Sequence, residues 1–173
     1  MQTDVVESRG VAAVTFESVA EAAGLTRGGV TYHFPSRDEL VTAIHHHLAQ
    51  EWESALEEAL AARVGADLDP ADPANPAARL IAYIHVNARS ATRAELQMVL
   101  EAESSPELAS HWQGVMKRWL PDSDDGAIPE SHRLAVLAAD GLWVHDAISG
   151  RAMGQEQRIA LARRIEAMVV GDE

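Results

Sequence analysis

The residues best suited to bind a charged partner lie together in one short stretch, RGGVTYH, which begins at Arg27. Arg27, Thr31 and Tyr32 carry hydrogen-bond donors, and a guanidinium can bind a guanine edge or a phosphate through two parallel bonds. Gly28 and Gly29 lie between them, although glycine is a poor helix former. Glycines at the start of a helix let a large anion approach backbone N–H groups at the positive end of the helix dipole. The pattern indicates binding of a polyanion.

Two short helices must position this stretch. Thr15 is a good N-cap for the first helix, Gly24 suits the tight turn that follows, and Thr26 is a good N-cap for the second. Small Ala20 lets the two backbones approach, and Val30 supplies an apolar anchor under the second helix. This spacing is typical of a helix-turn-helix, whose second helix enters the major groove of DNA. An ordinary helical hairpin would show the same spacing.

The rest of the chain also predicts helices. Ser36 and Glu39 form an S-x-x-E capping box that starts a long helix. The segment GADLDPADPANP, residues 65–76, carries three prolines and three aspartates and must end it. Helical spacing then resumes, and we count about nine helices and no strand, which predicts an all-α fold. We divide the chain into an N-terminal domain of residues 1–47 and a C-terminal domain of residues 48–173.

Composition limits the possible functions. The chain has 173 residues and no cysteine, which excludes disulfides, cysteine-based metal sites and thiol nucleophiles. No apolar run reaches membrane-spanning length and the N-terminus has no signal-peptide pattern, so we expect a cytoplasmic protein. The formal net charge of -13 argues against indiscriminate binding to nucleic acids or anionic membranes. It remains compatible with a sequence-specific DNA reader, because an acidic body suppresses non-specific binding.

The longer stretch TFESVAEAAGLTRGGVTYHFPSRDELVTAI resembles the DNA-binding domain of the tetracycline-repressor (TetR) family of transcriptional regulators. Its most specific parts are the AxxAGLT turn, the RGG start of the second helix, and YHFPSRDEL. The resemblance runs from about Val14 to Ile44, and the remainder agrees in architecture and in a late ADGLW segment. It implies a three-helix DNA-binding domain followed by a helical ligand-binding and dimerisation domain. It implies no cofactor.

The resemblance also implies which residues contact operator DNA. Side chains of the second helix would face the major groove, and Tyr32 and His33 would donate to phosphates. Residues at the N-termini of the neighbouring helices would bind flanking phosphates. The complete predicted set is Thr15, Thr26, Arg27, Gly28, Gly29, Thr31, Tyr32, His33, Ser36 and Arg37.

Two features depart from the family pattern. Only nine residues precede Gly10, so the first helix of the DNA-binding domain is expected to be short. Moreover, residues 1–47 carry three arginines against six acidic residues, a balance of -3 before histidines, where a basic face is usual. We therefore expect modest DNA affinity and few phosphate contacts per subunit.

For the C-terminal domain the resemblance implies a small-molecule effector and a homodimer formed through the last two helices. Apolar and aromatic residues with a few polar groups suit a hydrophobic or aromatic effector, but they suit a plain core even better. The candidate ligand residues are Tyr83, Asn87, Met98, Glu101, Trp112, Met116, Trp119 and Trp143. The candidates for the core and dimer seam, which periodicity does not separate, are Leu134, Leu137, Ala138, Leu142, Ile159, Ala162, Ile165 and Val169.

Metal and enzyme chemistry are not indicated. The HHH run, residues 45–47, cannot converge on one ion, since successive helical residues point about 100° apart, and we expect it on a solvated or interdomain surface. No nucleophile, phosphate loop or paired carboxylate stands out. The sequence therefore predicts a ligand-responsive repressor released from a palindromic operator. The alternatives are a dimeric ligand-binding protein with a degenerate DNA-binding domain and a small α-helical enzyme.

Overall fold

A computed structural model describes residues 14–64, 76–89, 91–103, 105–120 and 128–171. Those residues form helices and no strand, so the all-α prediction is confirmed. None of these helices is long and apolar enough to cross a membrane. The short first helix expected before Gly10 lies outside the described residues. The eight described helices are α1 (Phe16–Ala23), α2 (Arg27–His33), α3 (Arg37–Val64), α4 (Pro76–Asn87), α5 (Arg93–Ala102), α6 (Pro106–Trp119), α7 (Glu130–Ser149) and α8 (Gln155–Val170).

The turn between α1 and α2 follows from one glycine. Gly24 has φ +65°, and its N–H donates to the carbonyls of Ala20 and Glu21. The next N–H, of Leu25, also donates to the carbonyl of Ala20, at 2.9 Å. These bonds satisfy carbonyls that the end of α1 leaves free, and only glycine adopts this backbone conformation without steric cost. The chain can therefore turn at once into α2.

The described residues group into two compact units. The first unit contains residues up to 50 together with 92–112, and the second contains residues 51–91 and those from 113 onward. Helix α5 and the first half of α6 thus belong to the first unit, although they are distant from α1 to α3 in sequence. The division after residue 47 made from the sequence alone stays a prediction.

The first unit has its own apolar core. Val30 of α2 is 2% exposed, and Ala20 of α1 is 5% exposed, as expected for the two points where helices of a helix-turn-helix approach. Phe34 packs against the same core from the end of α2. The buried members of this core are Val14, Val19, Ala20, Val30, Leu40, Val41, Ile44, Met98, Ala102 and Leu108.

In the second unit, α4, α7 and α8 pack against one another around the buried Arg158. The Arg158 Nε donates to the carbonyl of Ala88 at 2.7 Å, and one Nη donates to the carbonyl of Leu142. The other Nη forms an ion pair of 3.1 Å with Asp146. A buried charge is tolerated only when it is paired and hydrogen-bonded, and here one guanidinium joins three elements.

Candidate functional site

The first turn of α2 leaves two backbone donors without a partner in the described part of the chain. The side chain of Thr26 accepts the N–H of Gly29 at 3.0 Å, and its carbonyl accepts the N–H of Val30 at 3.1 Å. The N–H groups of Arg27 and Gly28 have no such acceptor. Unpartnered N–H groups at the start of a helix are suited to an anion, because the helix dipole adds to their partial positive charge.

The two glycines of this turn differ in what surrounds them. A Cβ placed on Gly28 would lie 4.0 Å from the Thr26 Oγ1, its nearest neighbour, whereas one on Gly29 would lie 3.3 Å from the same atom. Neither glycine has a positive φ. Gly29 therefore leaves room for the capping hydroxyl. At Gly28 the protein itself has space for a side chain, so the fold does not require glycine there.

The side chains of α2 that the sequence singles out have different partners. The Arg27 Nε forms an ion pair of 2.6 Å with Glu17 of α1, and both side chains are about two-thirds exposed. Tyr32 is 82% exposed, and its ring lies edge-to-face with the His33 ring, with centroids 5.3 Å apart. The Thr31 hydroxyl donates back to carbonyls of its own helix. Arg27 and Tyr32 therefore expose most of their side chains, with their hydrogen-bond donors, to solvent.

The predicted residues at the neighbouring helix starts act as caps in the protein itself. The Thr15 hydroxyl accepts the N–H of Ser18 at 3.1 Å, and the Ser18 hydroxyl accepts the N–H of Thr15 in return. Ser36 accepts the N–H of Glu39 at 3.1 Å. The Arg37 Nε donates to the carbonyl of Val14 at 3.2 Å and so ties α3 to the residue before α1.

All ten predicted DNA contacts lie in the first unit, at the starts of α1 to α3 or along α2. Their roles at DNA stay predictions. Sequence reasoning missed Glu17, which the fold brings to Arg27. The available signal was its position in the first turn of α1, one helix and one tight turn before an arginine at the start of α2.

The eight candidate ligand residues do not fall in one unit. Met98 is 1% exposed and belongs to the core of the first unit. Glu101 is partly buried, and the Trp112 indole N–H donates to the Nδ1 of His45 at 3.2 Å, also in the first unit. The remaining five lie in the second unit and are Tyr83, Asn87, Met116, Trp119 and Trp143.

Tyr83 and Asp140 form a polar pair in the interior of the second unit. The Tyr83 hydroxyl donates to the Asp140 carboxylate, and its ring packs edge-on against Trp52 with centroids 5.7 Å apart. Burial raises the pKa of Tyr83, and the neighbouring Asp140 raises it further, whereas a hydrogen bond with Asn87 lowers it. Burial also raises the pKa of Asp140. Sequence reasoning identified Tyr83 and Asn87 but missed Asp140, whose distance along the chain hid it.

The other candidates of the second unit are less polar. Trp119 is buried, and its indole N–H lies 3.4 Å from a Glu53 oxygen that also pairs with Arg118. Met116 is 36% exposed. Trp143 is partly buried, and its backbone carbonyl accepts the N–H of Ala91 at 2.9 Å. Which of these residues contact an effector stays a prediction.

The histidine run does not lie wholly on a surface, so that expectation was wrong for one residue. His45 is completely buried, whereas His46 and His47 are exposed, because the helical turn directs the three rings to different sides. Burial lowers the pKa of His45 to about 4, with a smaller contribution from the nearby His111. No group of three or more potential metal ligands occurs within the residues that the structure covers.

Comparison with known proteins agrees with this architecture. Residues 3–44 match the family described as bacterial regulatory proteins, tetR family, and residues 77–170 match the tetracyclin repressor-like C-terminal domain. The HTH-type transcriptional regulator EthR of Mycolicibacterium smegmatis is 24% identical over 162 residues, covering 88% of this chain and 71% of that protein. The HTH-type transcriptional regulator BetI of Ectopseudomonas mendocina is 30% identical over 180 residues, covering 94% and 84%.

A third relative matches only the DNA-binding end. The HTH-type transcriptional regulator TtgR of Pseudomonas putida is 45% identical over 53 residues, which cover 27% of this chain and 25% of that protein. The two family matches cover residues 3–44 and 77–170, and all three relatives are HTH-type transcriptional regulators. The chain belongs to the tetracycline-repressor (TetR) family of DNA-binding transcriptional regulators.

Proposed function

We propose that the chain is a homodimeric repressor that reads a palindromic operator with α2 and is released by a small-molecule effector. The observation that carries the DNA-reading part is the first turn of α2. Two backbone N–H groups lack a partner there within the described residues. The space beside Gly28 could hold a side chain, so the fold itself does not require a glycine at that position. Arg27 and Tyr32 project from the same short helix. None of these features is needed to stabilise the first unit, and all of them suit the close approach of a DNA backbone.

Each part of α2 has a distinct role in this proposal. Arg27 contacts a guanine edge through its guanidinium, because O6 and N7 of guanine match two parallel N–H donors. The N–H groups of Arg27 and Gly28 contact a phosphate, and Tyr32 donates its hydroxyl to another. Thr15 and Ser36 add hydroxyls at the flanking helix starts. Two such units on a symmetric dimer would occupy successive major grooves of a palindrome.

The charge of this region predicts a weak dependence on salt. Within residues 14–47, Arg27 and Arg37 are the fixed positive charges, which makes four in a dimer. Each phosphate neutralised by a cation contributes about -0.9 to the slope of log K against log salt, so we expect a slope of about -4 or shallower. A gel-shift titration between low and physiological salt measures it. A slope steeper than about -6 would contradict the proposed set of contacts.

The proposed dimer uses the outer face of α7 and α8. Of the eight seam candidates, Leu142, Ala162, Ile165 and Val169 are buried in the subunit's own core. Apolar side chains that remain exposed on these helices are Leu134, Leu137, Ile148, Ile159, Met168 and Val170. A patch of exposed apolar side chains on two adjacent helices is typical of a helix-bundle interface. Sedimentation at micromolar concentration tests this, and a monomer would count against it.

For the effector we propose a hydrophobic or aromatic small molecule bound in the C-terminal domain. Tyr83, Asn87, Asp140 and Trp52 support this because they combine aromatic faces with hydrogen-bonding groups in an otherwise apolar interior. The effector would release DNA by binding more tightly to a conformation that does not fit the operator. The proposed location is the cytoplasm, and we propose no catalytic activity.

One pair of substitutions tests DNA reading. The parent and the Arg27→Ala, Tyr32→Ala double variant are compared for binding to duplexes selected by the parent from a random pool. Because both side chains are largely exposed, the variant should fold like the parent, which circular dichroism checks. Specific binding by the parent and its loss in the folded variant would support the regulator. A parent that selects no sequence would favour the rival, a ligand-binding protein with a degenerate DNA-binding domain.

A further inference from the structure

The one ion pair of Arg27 in the described chain crosses from α2 back to α1. The Arg27 Nε lies 2.6 Å from the Glu17 Oε1, across the turn at Gly24. Glu17 is in the first turn of α1 and Arg27 is the first residue of α2. The turn therefore brings an acidic side chain to the arginine that the proposed function assigns to base reading.

The geometry of the pair leaves the end of the guanidinium available. The closest approach of the carboxylate is to the Nε, and the two terminal nitrogens of Arg27 form no hydrogen bond with the residues that the structure describes. A guanidinium is planar, so fixing the Nε against a carboxylate restricts rotation of the whole group. One N–H of the terminal nitrogens lies parallel to the Nε–H on the Glu17 side, and the pair at the far end of the guanidinium, one N–H from each terminal nitrogen, points away from Glu17. This far pair has the spacing that O6 and N7 of a guanine accept.

The stability of the fold gives little reason for this contact. Both side chains are about two-thirds exposed, and an ion pair in such a position is screened by water and contributes little to folding. Glu17 also has an electrostatic cost near DNA, since a carboxylate repels phosphates. Held against Arg27, it cancels that arginine's charge and so reduces attraction to any phosphate, whatever the sequence.

We infer that Glu17 is a positioning residue that orients Arg27 toward a guanine edge and suppresses its binding to phosphates. This inference rests on the proposed function, because it assumes that α2 reads DNA. Glu17 therefore lowers the affinity for unrelated DNA and raises the preference for one base at the position that Arg27 reads. Glu21, the other carboxylate of α1, lies one turn further along and has no side-chain partner within the described residues.

Glu21 provides a matched control. It is exposed, lies on the same helix, and carries the same charge as Glu17. The variants Glu17→Gln and Glu21→Gln therefore change the net charge equally, and only the first breaks the contact with Arg27. Both should bind unrelated duplex DNA more tightly than the parent, and Glu17→Gln by the larger factor, because it also frees Arg27 to bind phosphates.

The experiment uses the full chain and an operator selected by the parent from random duplexes. The Arg27→Ala variant selects duplexes from the same random pool in parallel. The base pair at which the parent has a preference and the variant has none is the one that Arg27 reads. Dissociation constants are then measured for the operator and for a duplex altered at that base pair. The ratio of the two constants is the readout, because a general change in charge or stability cancels in it.

We expect the ratio to fall about two- to fivefold in Glu17→Gln, the range that exposed ion pairs reach, and to stay unchanged in Glu21→Gln. In the Arg27→Ala background, Glu17→Gln should change nothing further in the ratio. Equal ratios in Glu17→Gln and the parent, or a higher ratio, would overturn the inference while leaving the DNA-reading function intact. A parent that selects no sequence would overturn the proposed function, and this inference with it.

Discussion

Replacing Gly28 by alanine separates the stability of α2 from its fit to DNA. The added Cβ has no neighbour closer than the Thr26 Oγ1 at 4.0 Å, and the backbone is not in a left-handed conformation. Alanine in a helix is more stable than glycine by about 0.5–1 kcal/mol. The free energy of unfolding should therefore stay constant or rise by up to that amount. Urea unfolding followed by circular dichroism measures it.

The same methyl group should weaken operator binding. It occupies the space through which a phosphate would reach the N–H groups of Arg27 and Gly28 in the proposed complex. Losing a hydrogen bond to a charged group costs about 1.5–3 kcal/mol, which is about tenfold or more in the dissociation constant for each subunit. Gly28→Ala should thus be at least as stable as the parent and bind its operator at least tenfold more weakly.

Two other glycines make the interpretation specific. Gly114 lies in α6 and has ordinary contact distances around an added Cβ, the nearest being 3.6 Å to Arg118, so Gly114→Ala should gain stability without losing DNA binding. Gly29→Ala should gain less stability than Gly28→Ala, because its Cβ would lie 3.3 Å from the capping hydroxyl of Thr26. If Gly28→Ala binds the operator as tightly as the parent, the clearance argument is wrong.

Three further predictions concern other parts of the chain. Burial lowers the pKa of His45 from 6.5 to about 4, so the unfolded chain binds more protons than the folded chain between these two pH values. The free energy of unfolding should therefore fall as the pH drops through this window, by up to about 1.4 kcal/mol per pH unit. Urea unfolding at several pH values should show that the free energy of unfolding depends less on pH in His45→Gln than in the parent, and equally in His47→Gln. Leu137→Glu should dissociate the dimer in light scattering, whereas Leu100→Glu, on an equally exposed leucine of α5, should not. Arg158→Ala should lower the free energy of unfolding by about 3–5 kcal/mol, because the Asp146 carboxylate loses its ion-pair partner and the carbonyl of Ala88 loses its side-chain donor. An unchanged urea midpoint would contradict this.

The parts of the fold that the sequence predicts are those determined by local backbone hydrogen bonds. Thr15, Thr26 and Ser36 each cap the helix that follows, and Gly24 takes the left-handed conformation that the turn requires. Such positions are readable because the residue that satisfies a free N–H or carbonyl lies within four positions of it. The helix-turn-helix could be identified for the same reason.

Contacts between distant segments were not predictable in this way. Met98 has the apolar character of a ligand-contacting residue, yet it packs in the core of the first unit, more than fifty positions from Ile44 in that core. Periodicity shows that a helix has an apolar face but not what covers it. Leu137 and Leu142 illustrate the same limit, since both fit the helical pattern of α7, and only Leu142 is buried within the subunit.

The DNA-binding region is acidic, and its arginines have partners within the protein. Arg37 donates to the carbonyl of Val14, and Arg27 is paired with Glu17, so both arginines between residues 14 and 47 are engaged within the protein. Binding to a phosphate must then rest largely on backbone N–H groups and hydroxyls, which displace few counterions and attract DNA only at short range. Such a protein gives up the fast electrostatic encounter that a basic face provides. In return its non-specific binding is weak, and because genomic DNA offers a large excess of competing sites, the ratio of specific to non-specific affinity decides occupancy of the operator. An acidic regulator can therefore reach the same occupancy with a modest dissociation constant, provided that the guanine contact of Arg27 is retained.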